Sequence, residues 1–493
     1  MIQNGTALYR SDEIRKIEAL LGTTGLMEKA GLAIATLART LIADATRPIL
    51  VIVGPGNNGG DALVAARFLQ QWQFHVIVVM FADPQKLPPD AYQAYEQWVA
   101  LNAGTAKTIP EANYALLLDG LFGIGLQRTI SGDYLALIAQ INALPCPKLA
   151  IDIPSGLMCD SGRVLGMAVK ATHTLTFIAR KPGLYTLDGP DYAGSIHLAD
   201  LGIQATEHLS APGHLLEQAL FQPALPPRKA NSHKGKFGSV AIIGGAEGTV
   251  GAVLLAARAA LLCGAGRVYA CLLAENSPAV DWQQPEIMLC GAETLTKLAQ
   301  LDCVVIGPGL GQSTQAIGLL EYWIAQDVPL LLDADALNLL ATHAHLKAAL
   351  QSRKATSSII TPHPGEAAKL LNTANTEVQK NRIQNAQHLA QTLNAICVLK
   401  GAGSVCAEPG GLWHINTSGN PALASAGSGD VLSGIIGSFV AQGLGALDAT
   451  KLGVYLHGAA ADTLVNHGIG PIGLSASELA PAVRKLINQY NTL

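Results

Sequence analysis

The chain has 493 residues, 49% hydrophobic and 14% charged, with a formal net charge of −4. That length predicts two or three domains with well-filled cores and excludes a disordered chain, while the slightly acidic balance excludes the basic field that nucleic acid or an anionic membrane requires. Eight cysteines lie scattered, none in a Cys-x-x-Cys pair, so reduced thiols in a cytoplasmic protein are expected.

Met1 to Arg10 lacks the basic-then-apolar pattern of a signal peptide. Ser11 to about Leu41 reads as helical. Aliphatic runs at Ile49–Val53, His75–Met80, Ala115–Asp119, Leu149–Ile153 and Leu175–Ile178 read as strands, with helices at Ala62–Trp72, Tyr92–Asn102 and Tyr134–Leu144 between them. This alternation predicts βαβ units and a parallel sheet. The pattern lapses in a proline-rich stretch, so residues 1–215 are expected to form one domain, 216–230 a linker and 231–493 a second domain.

In the second half, Ser239–Ile243, Arg267–Leu273, Cys303–Ile306, Pro329–Leu332, Ser358–Thr361 and Ala395–Lys400 read as strands. Helices are expected at Val250–Cys263, Gly365–Leu371, Glu377–Leu393, Asp430–Val440, Lys451–Val465 and Ala476–Asn488. The apolar stretch Val431–Leu447 is rich in Gly and Ser and follows an acid, which predicts a buried helix and its exit, not a membrane span. The fold class is therefore α/β, with two domains.

Three turns in the first half follow strands. Gly54, Gly56 and Gly59 satisfy Gly-x-Gly-x-x-Gly, a pattern that brings backbone close to a ligand at a helix N-terminus. Asn57 and Asn58 add amides that donate and accept, and Asp61 either caps the helix or meets the ligand. That carboxylate would crowd a pyrophosphate, which argues against an ordinary NAD grip and against an oxidoreductase. The second turn joins Asp119 to a flexible loop and to Arg128, which suits a phosphate. The third places Asp152 at a strand end, followed by Ser155.

The sharpest motif lies late in the chain. Gly427, Ser428 and Gly429 precede an apolar helix and offer consecutive N–H groups to a developing phosphate charge. Asp430 stands beside them, placed to take a proton from an attacking hydroxyl. Lys400, Gly401, Ala402, Gly403 and Ser404 suit an adenine-nucleotide loop, and no Gly-x-x-x-x-Gly-Lys-Ser/Thr phosphate loop is present. The histidines make no metal-binding pattern, so no zinc site is expected.

GNNGGD at 56–61, LDGLFGIG at 118–125 and DIPSG at 152–156 together resemble the N-terminal domain of the bifunctional NAD(P)H-hydrate repair enzymes, a Rossmann-like epimerase. HKGKFG, GPGLG, DADALN, TPHPGE, KGAGS and the GSGD head of the late helix resemble the ribokinase-like dehydratase domain of the same family. The family interconverts the R and S forms of hydrated NADH and NADPH and dehydrates the S form with a nucleotide.

The resemblance implies that Asn57, Asn58, Gly59, Gly60, Asp61, Gly123, Ile124, Gly125, Leu126, Gln127, Arg128, Thr129 and Asp152 contact the hydrated nucleotide. It implies potassium (K+) near Asn58, Asp119 and Ser155, whose oxygens suit that ion. In the second domain it implies Gly251, Gly309, His363 and Asp430 on the hydrate side, and Lys400–Ser404 with Gly427–Gly429 around ADP, giving AMP and phosphate. ATP with Mg2+ is the alternative, and a homo-oligomer is expected. Asp430 is the expected dehydratase base. Asp152 is the expected epimerase acid or base, with a ribose-hydroxyl contact as the alternative. One departure is Ala62, where the family usually has glycine. The rivals are a small-molecule kinase, which would accumulate a phosphorylated product, and a nucleotide-sensing module, which would not need Asp430.

Overall fold

The computed structural model describes residues 6–22, 25–221, 225, 228–298 and 300–490 and divides into two compact units, Met1–His214 and Leu215–Leu493. Of the expected linker, residues 222–224 and 226–227 lie outside the described residues, as do residues 23–24 of the opening helical segment.

In the N-terminal unit a short strand β1 (Ala7–Leu8) is followed by β2 (Ile49–Val53), β3 (Val76–Met80), β4 (Leu116–Gly120), β5 (Lys148–Ile151), β6 (His173–Phe177) and β7 (Ser195–Ala199). β2 to β7 form a parallel sheet in the order β3-β2-β4-β5-β6-β7. Strand β8 (Gly213–Leu216) pairs antiparallel with β1, setting Ala7 opposite His214.

Side chains of β2 alternate between two cores. Ile49, Val51 and Val53 pack with the helices Ser11–Leu21, Leu26–Leu41 and Asn57–Gln71, whereas Leu50 and Ile52 pack with the helix Asp133–Ala143. Both faces are covered, so β2 is aliphatic throughout rather than alternating with polar residues.

The opening helical segment is two helices. Gly22 and Gly25 hold left-handed φ values of 75° and 77° at the break, which a continuous helix does not tolerate. A second difference matters more. The helix after β2 starts at Asn57, not Ala62, so the asparagine–glycine run is its first turn and Asp61 lies inside it. Close packing selects the glycines: a Cβ on Gly59 would stand 2.2 Å from the Gly54 carbonyl oxygen. Ala62 packs where Gly120 has no side chain, since a Cβ on Gly120 would meet that of Ala62 at 2.5 Å.

The C-terminal unit adds β9 (Ser239–Gly244), β10 (Arg267–Leu272), β11 (Met288–Cys290), β12 (Cys303–Ile306), β13 (Leu330–Leu332), β14 (Ser358–Ile360), β15 (Ile396–Leu399), β16 (Val405–Ala407) and β17 (Trp413–Asn416). Its strands run in the order β17-β16-β15-β14-β13-β12-β9-β10-β11, with β15 to β17 paired antiparallel and the others parallel.

The expected helix Glu377–Leu393 is two helices, Asn375–Lys380 and Arg382–Leu393. The apolar late stretch forms the helix Ser428–Ala441, buried from Val431 to its end. Its glycines permit close approach: a Cβ on Gly434 would lie 2.0 Å from the Ala256 carbonyl oxygen of the helix Val250–Leu262. Each buried Ile or Phe on it contributes about 1.5–3 kcal/mol. Among the described residues, no helix is long and apolar enough to cross a membrane.

Candidate functional site

A cavity of about 680 Å³ opens at the carboxyl ends of β2, β4 and β5, the crevice where parallel α/β sheets bind ligands. Asn57, Asn58, Asp61, Gly123, Ile124, Gly125, Leu126, Gln127, Arg128 and Asp152 line it. Gly59, Gly60 and Thr129 do not. Gly60 packs instead, since its Cβ would lie 2.8 Å from the Met27 sulfur.

Asp152 holds a left-handed φ of 63°, uncommon for a non-glycine residue. Its Oδ1 accepts from Thr176 Oγ1 and the Phe177 N–H, each at 3.1 Å, and from the buried Lys181 ammonium, which also donates to the Phe177 carbonyl. Burial, with Asp152 and Glu18 nearby, pushes the Asp61 carboxyl well above its ordinary range.

Behind this wall, Asp119 is fully buried. Its Oδ1 accepts from Ser155 Oγ at 2.6 Å and its Oδ2 from the Ser155 N–H at 2.9 Å. Burial raises its pKa to about 6 against the lowering effect of those bonds. The Asn58 amide is buried as well, with a nitrogen that has no partner, and Gly123 packs against its oxygen. A carboxylate buried with no cationic partner among the described residues, a hydroxyl, the Phe122 carbonyl 3.2 Å from Ser155 Oγ and the Asn58 amide oxygen beside Gly123 fit a weakly hydrated monovalent cation. Asn58, Asp119 and Ser155 would hold it.

In the C-terminal unit, Gly427 caps the helix Ser428–Ala441 with a φ of 85°. The helix start leaves N–H groups without intrahelical partners. A Cβ on Gly427 would lie 3.9 Å from Asp430 Oδ2, and one on Gly429 would lie 3.2 Å from the Lys400 ammonium, so both side chains converge on this turn. Lys400 pairs with Asp333 at 2.8 Å, and Asp333 also accepts from Ser433 Oγ at 2.7 Å.

Burial raises Asp430 to about 6, with Asp333 adding to the rise and Lys400 opposing it. Burial works against the Lys400 ammonium, yet Asp333, Glu366 and Asp430 together raise its pKa. Burial also lifts Glu366 to about 7.

Lys400–Ser404 is the turn of the β15–β16 hairpin. Gly401 and Gly403 take φ values of 139° and 60°, and Ser404 Oγ closes the turn on the Gly401 carbonyl at 3.0 Å. His363 caps the helix Pro364–Leu371, its Nδ1 accepting the Gly365 N–H at 3.0 Å, and its ring stays exposed. Gly309, with a φ of 55°, packs on Thr249, while a Cβ on Gly251 would meet open space.

Four residues escaped the sequence reading: Glu18 and Lys181 in the first cavity, and Arg382 and Ser433 in the second unit. Arg382 is buried and donates to the carbonyls of Leu399, Lys400 and Gly403, so it holds the hairpin turn from below. The one signal for Lys181 was its place just beyond the end of β6, in the row of strand ends that carries Asp119 and Asp152.

A family model described as NAD(P)H-hydrate dehydratase matches residues 240–483, and one described as YjeF-related protein N-terminus matches residues 23–183. The bifunctional NAD(P)H-hydrate repair enzyme Nnr of Coxiella burnetii is 39% identical over 504 residues, covering 98% of this chain and 100% of the relative. Its counterpart in Escherichia coli is 38% identical, covering 98% and 94%. A ribokinase-like superfamily protein from Enterococcus faecalis superposes with a TM-score of 0.51 at 26% identity, covering 57% of this chain and 98% of that one. The expected family resemblance and two-domain α/β fold class are borne out.

Proposed function

The chain belongs to the bifunctional NAD(P)H-hydrate repair enzymes, and on that premise we propose a division of labour between its two units. The N-terminal unit is an epimerase that interconverts R- and S-hydrated NADH and NADPH. The C-terminal unit is a dehydratase that converts the S hydrate to NAD(P)H with ADP as co-substrate, releasing AMP and phosphate. An enzyme that repairs one epimer leaves the other stranded, and an epimerase in the same chain removes that limit.

The observation that carries the dehydratase reading is the convergence of Asp430 and Lys400 on the Gly427–Gly429 turn. The Lys400–Ser404 turn, exposed at Gly401 and Ala402, and Gly427–Gly429 would cradle the nucleotide phosphates, and Gly251, Gly309 and His363 would face the hydrate. Asp430 takes the proton from the hydrate hydroxyl as phosphoryl arrives. Phosphate then leaves and the dihydronicotinamide re-forms. ATP with Mg2+ would meet the same N–H groups.

In the N-terminal cavity Asn57, Asn58, Asp61 and Gly123–Arg128 would hold the nucleotide, with Asp152 at the reacting ring. When bound beside Asp119, K+ would supply the positive charge that this buried carboxylate lacks.

The test is recovery of reduced-nicotinamide absorbance from mixed hydrated NADH epimers. Full recovery with ADP, and partial recovery when only the S form can react, supports both activities. A stable phosphorylated product without recovery would point to a kinase.

A further inference from the structure

The N-terminal cavity holds two aspartates in opposite circumstances. Asp152 is clamped: Thr176, Phe177 and Lys181 all donate to its Oδ1, and its Oδ2 takes no part in these bonds. Asp61 lines the same cavity and has no hydrogen-bond or ion-pair partner among the described residues. Asp61 lies in the helix that follows β2 and Asp152 comes directly after β5, with only β4 between those strands. Both line one cavity of about 680 Å³, which has room for a flat ring.

We propose that epimerisation uses both carboxyls: Asp61 gives a proton to the departing hydroxyl, and Asp152 takes one from the water that returns on the opposite face. Lys181 is the positioning residue that keeps Asp152 oriented. The proposal rests on the epimerase reading of this unit and deepens it.

Hydration of an enamine leaves the hydroxyl on the carbon bonded to the ring nitrogen. Its C–O bond breaks with the electron pair going to oxygen, which takes the Asp61 proton and leaves as water. The nitrogen lone pair forms C=N, giving a planar cation that water can reach from either face. Water adds to the other face, the pair returns to nitrogen, and the surplus proton goes to Asp152. Nothing is oxidised or reduced. One proton has passed from Asp61 to Asp152, and the reverse epimerisation runs from that swapped state.

The charges around Asp61 suit this assignment. Asp152, Glu18 and Asp90 line the cavity with it, as do Arg15, Arg128 and Lys181. Lys181 is already engaged by Asp152 and the Phe177 carbonyl. Burial and the neighbouring carboxylates keep Asp61 protonated at a pH where an exposed aspartate has lost its proton. A clamped carboxyl and an unpartnered one lining a single cavity are placed to act as a paired acid and base.

The experiment follows R–S interconversion of hydrated NADH by the full chain with ADP withheld, across pH 5–9 (about the range such enzymes tolerate). Asp61→Asn should lower kcat about 100-fold or more while KM changes little. Wild-type kcat should fall as pH rises through the Asp61 titration, and the variant should lack that limb. Lys181→Met should lower kcat while KM changes little, and Lys181→Arg should recover part of the loss, because a cation again orients Asp152. In ¹⁸O-labelled water every epimerised product should carry solvent oxygen, a result independent of any variant's folding. Interconversion by Asp61→Asn at the wild-type rate, a rise in KM alone, or retention of the original oxygen would overturn the proposal. A wild-type chain that leaves both epimers unchanged would overturn the epimerase reading itself, before any variant is made.

Discussion

The Lys400 ammonium lies 2.8 Å from Asp333 Oδ1, although the two residues are 67 positions apart. The pair sits against Gly429, where phosphate charge would develop, and its Lys400 member opposes the rise in the Asp430 pKa that burial and Asp333 cause. Lys400→Met should therefore shift the acidic limb of the dehydratase pH profile above about 6. It should also cost roughly 3 kcal/mol of stability, because Asp333 is left buried without its cation. A pH series of kcat/KM and urea unfolding would measure both effects.

Asp430 must be ionised to act as a base, and its pKa is raised to about 6. Dehydration by the wild type should accordingly rise with pH through that value. Asp430→Asn should lower it about 100-fold or more and leave R–S interconversion without ADP unaffected. Full turnover by this variant would remove the proposed base.

The folded-state pKa of Asp119 is about 6, above the ordinary aspartate value of 3.8. A carboxyl raised in this direction holds its proton more tightly when folded, so its effect on stability turns unfavourable as pH rises from 3.8 through 6. A cation bound beside it reverses that effect. The gain in melting temperature from KCl over choline chloride should thus be largest above pH 6, shrink as pH falls toward 4, and disappear in Asp119→Asn. Equal gains in both salts at every pH would argue against a cation at this position.

Arg382 holds the Lys400–Ser404 turn, the proposed nucleotide turn, through the carbonyls of Leu399, Lys400 and Gly403. Arg382→Lys keeps the charge but loses the fork that reaches three carbonyls. The KM for ADP should rise about tenfold, equivalent to about 1.4 kcal/mol, with kcat for dehydration nearly unchanged. A matched fall in kcat with no change in KM would assign Arg382 to the chemistry instead.

Much of this architecture was legible in order of residues. The strands Ile49–Val53 and Cys303–Ile306 have the same bounds in sequence and structure, because buried parallel strands are continuous aliphatic runs with sharp polar or glycine ends. The helix at Asn57 was misjudged at its start, since two glycines and two asparagines score poorly as helix formers. Tertiary packing overrides that preference: Gly59 and Gly60 are helical because any side chain there would strike Gly54 or Met27. The hairpin strands β16 and β17 and the edge strand β11 are only three or four residues long, too short to show a period.

The sequence by itself determined the two α/β units, the strand ends that carry Asp119 and Asp152, the glycine turn ahead of Asp430, and through these the family. All are local signals, in which a few adjacent residues carry the pattern. Only the tertiary structure decided which side chains meet. Lys181 reaches Asp152 across 29 residues, Ser433 reaches Asp333 across 100, and Asp61 shares a cavity with Asp152 while keeping no partner of its own. Protonation depends on those distant neighbours and on burial, so the division of roles between two aspartates was beyond the reach of spacing and composition.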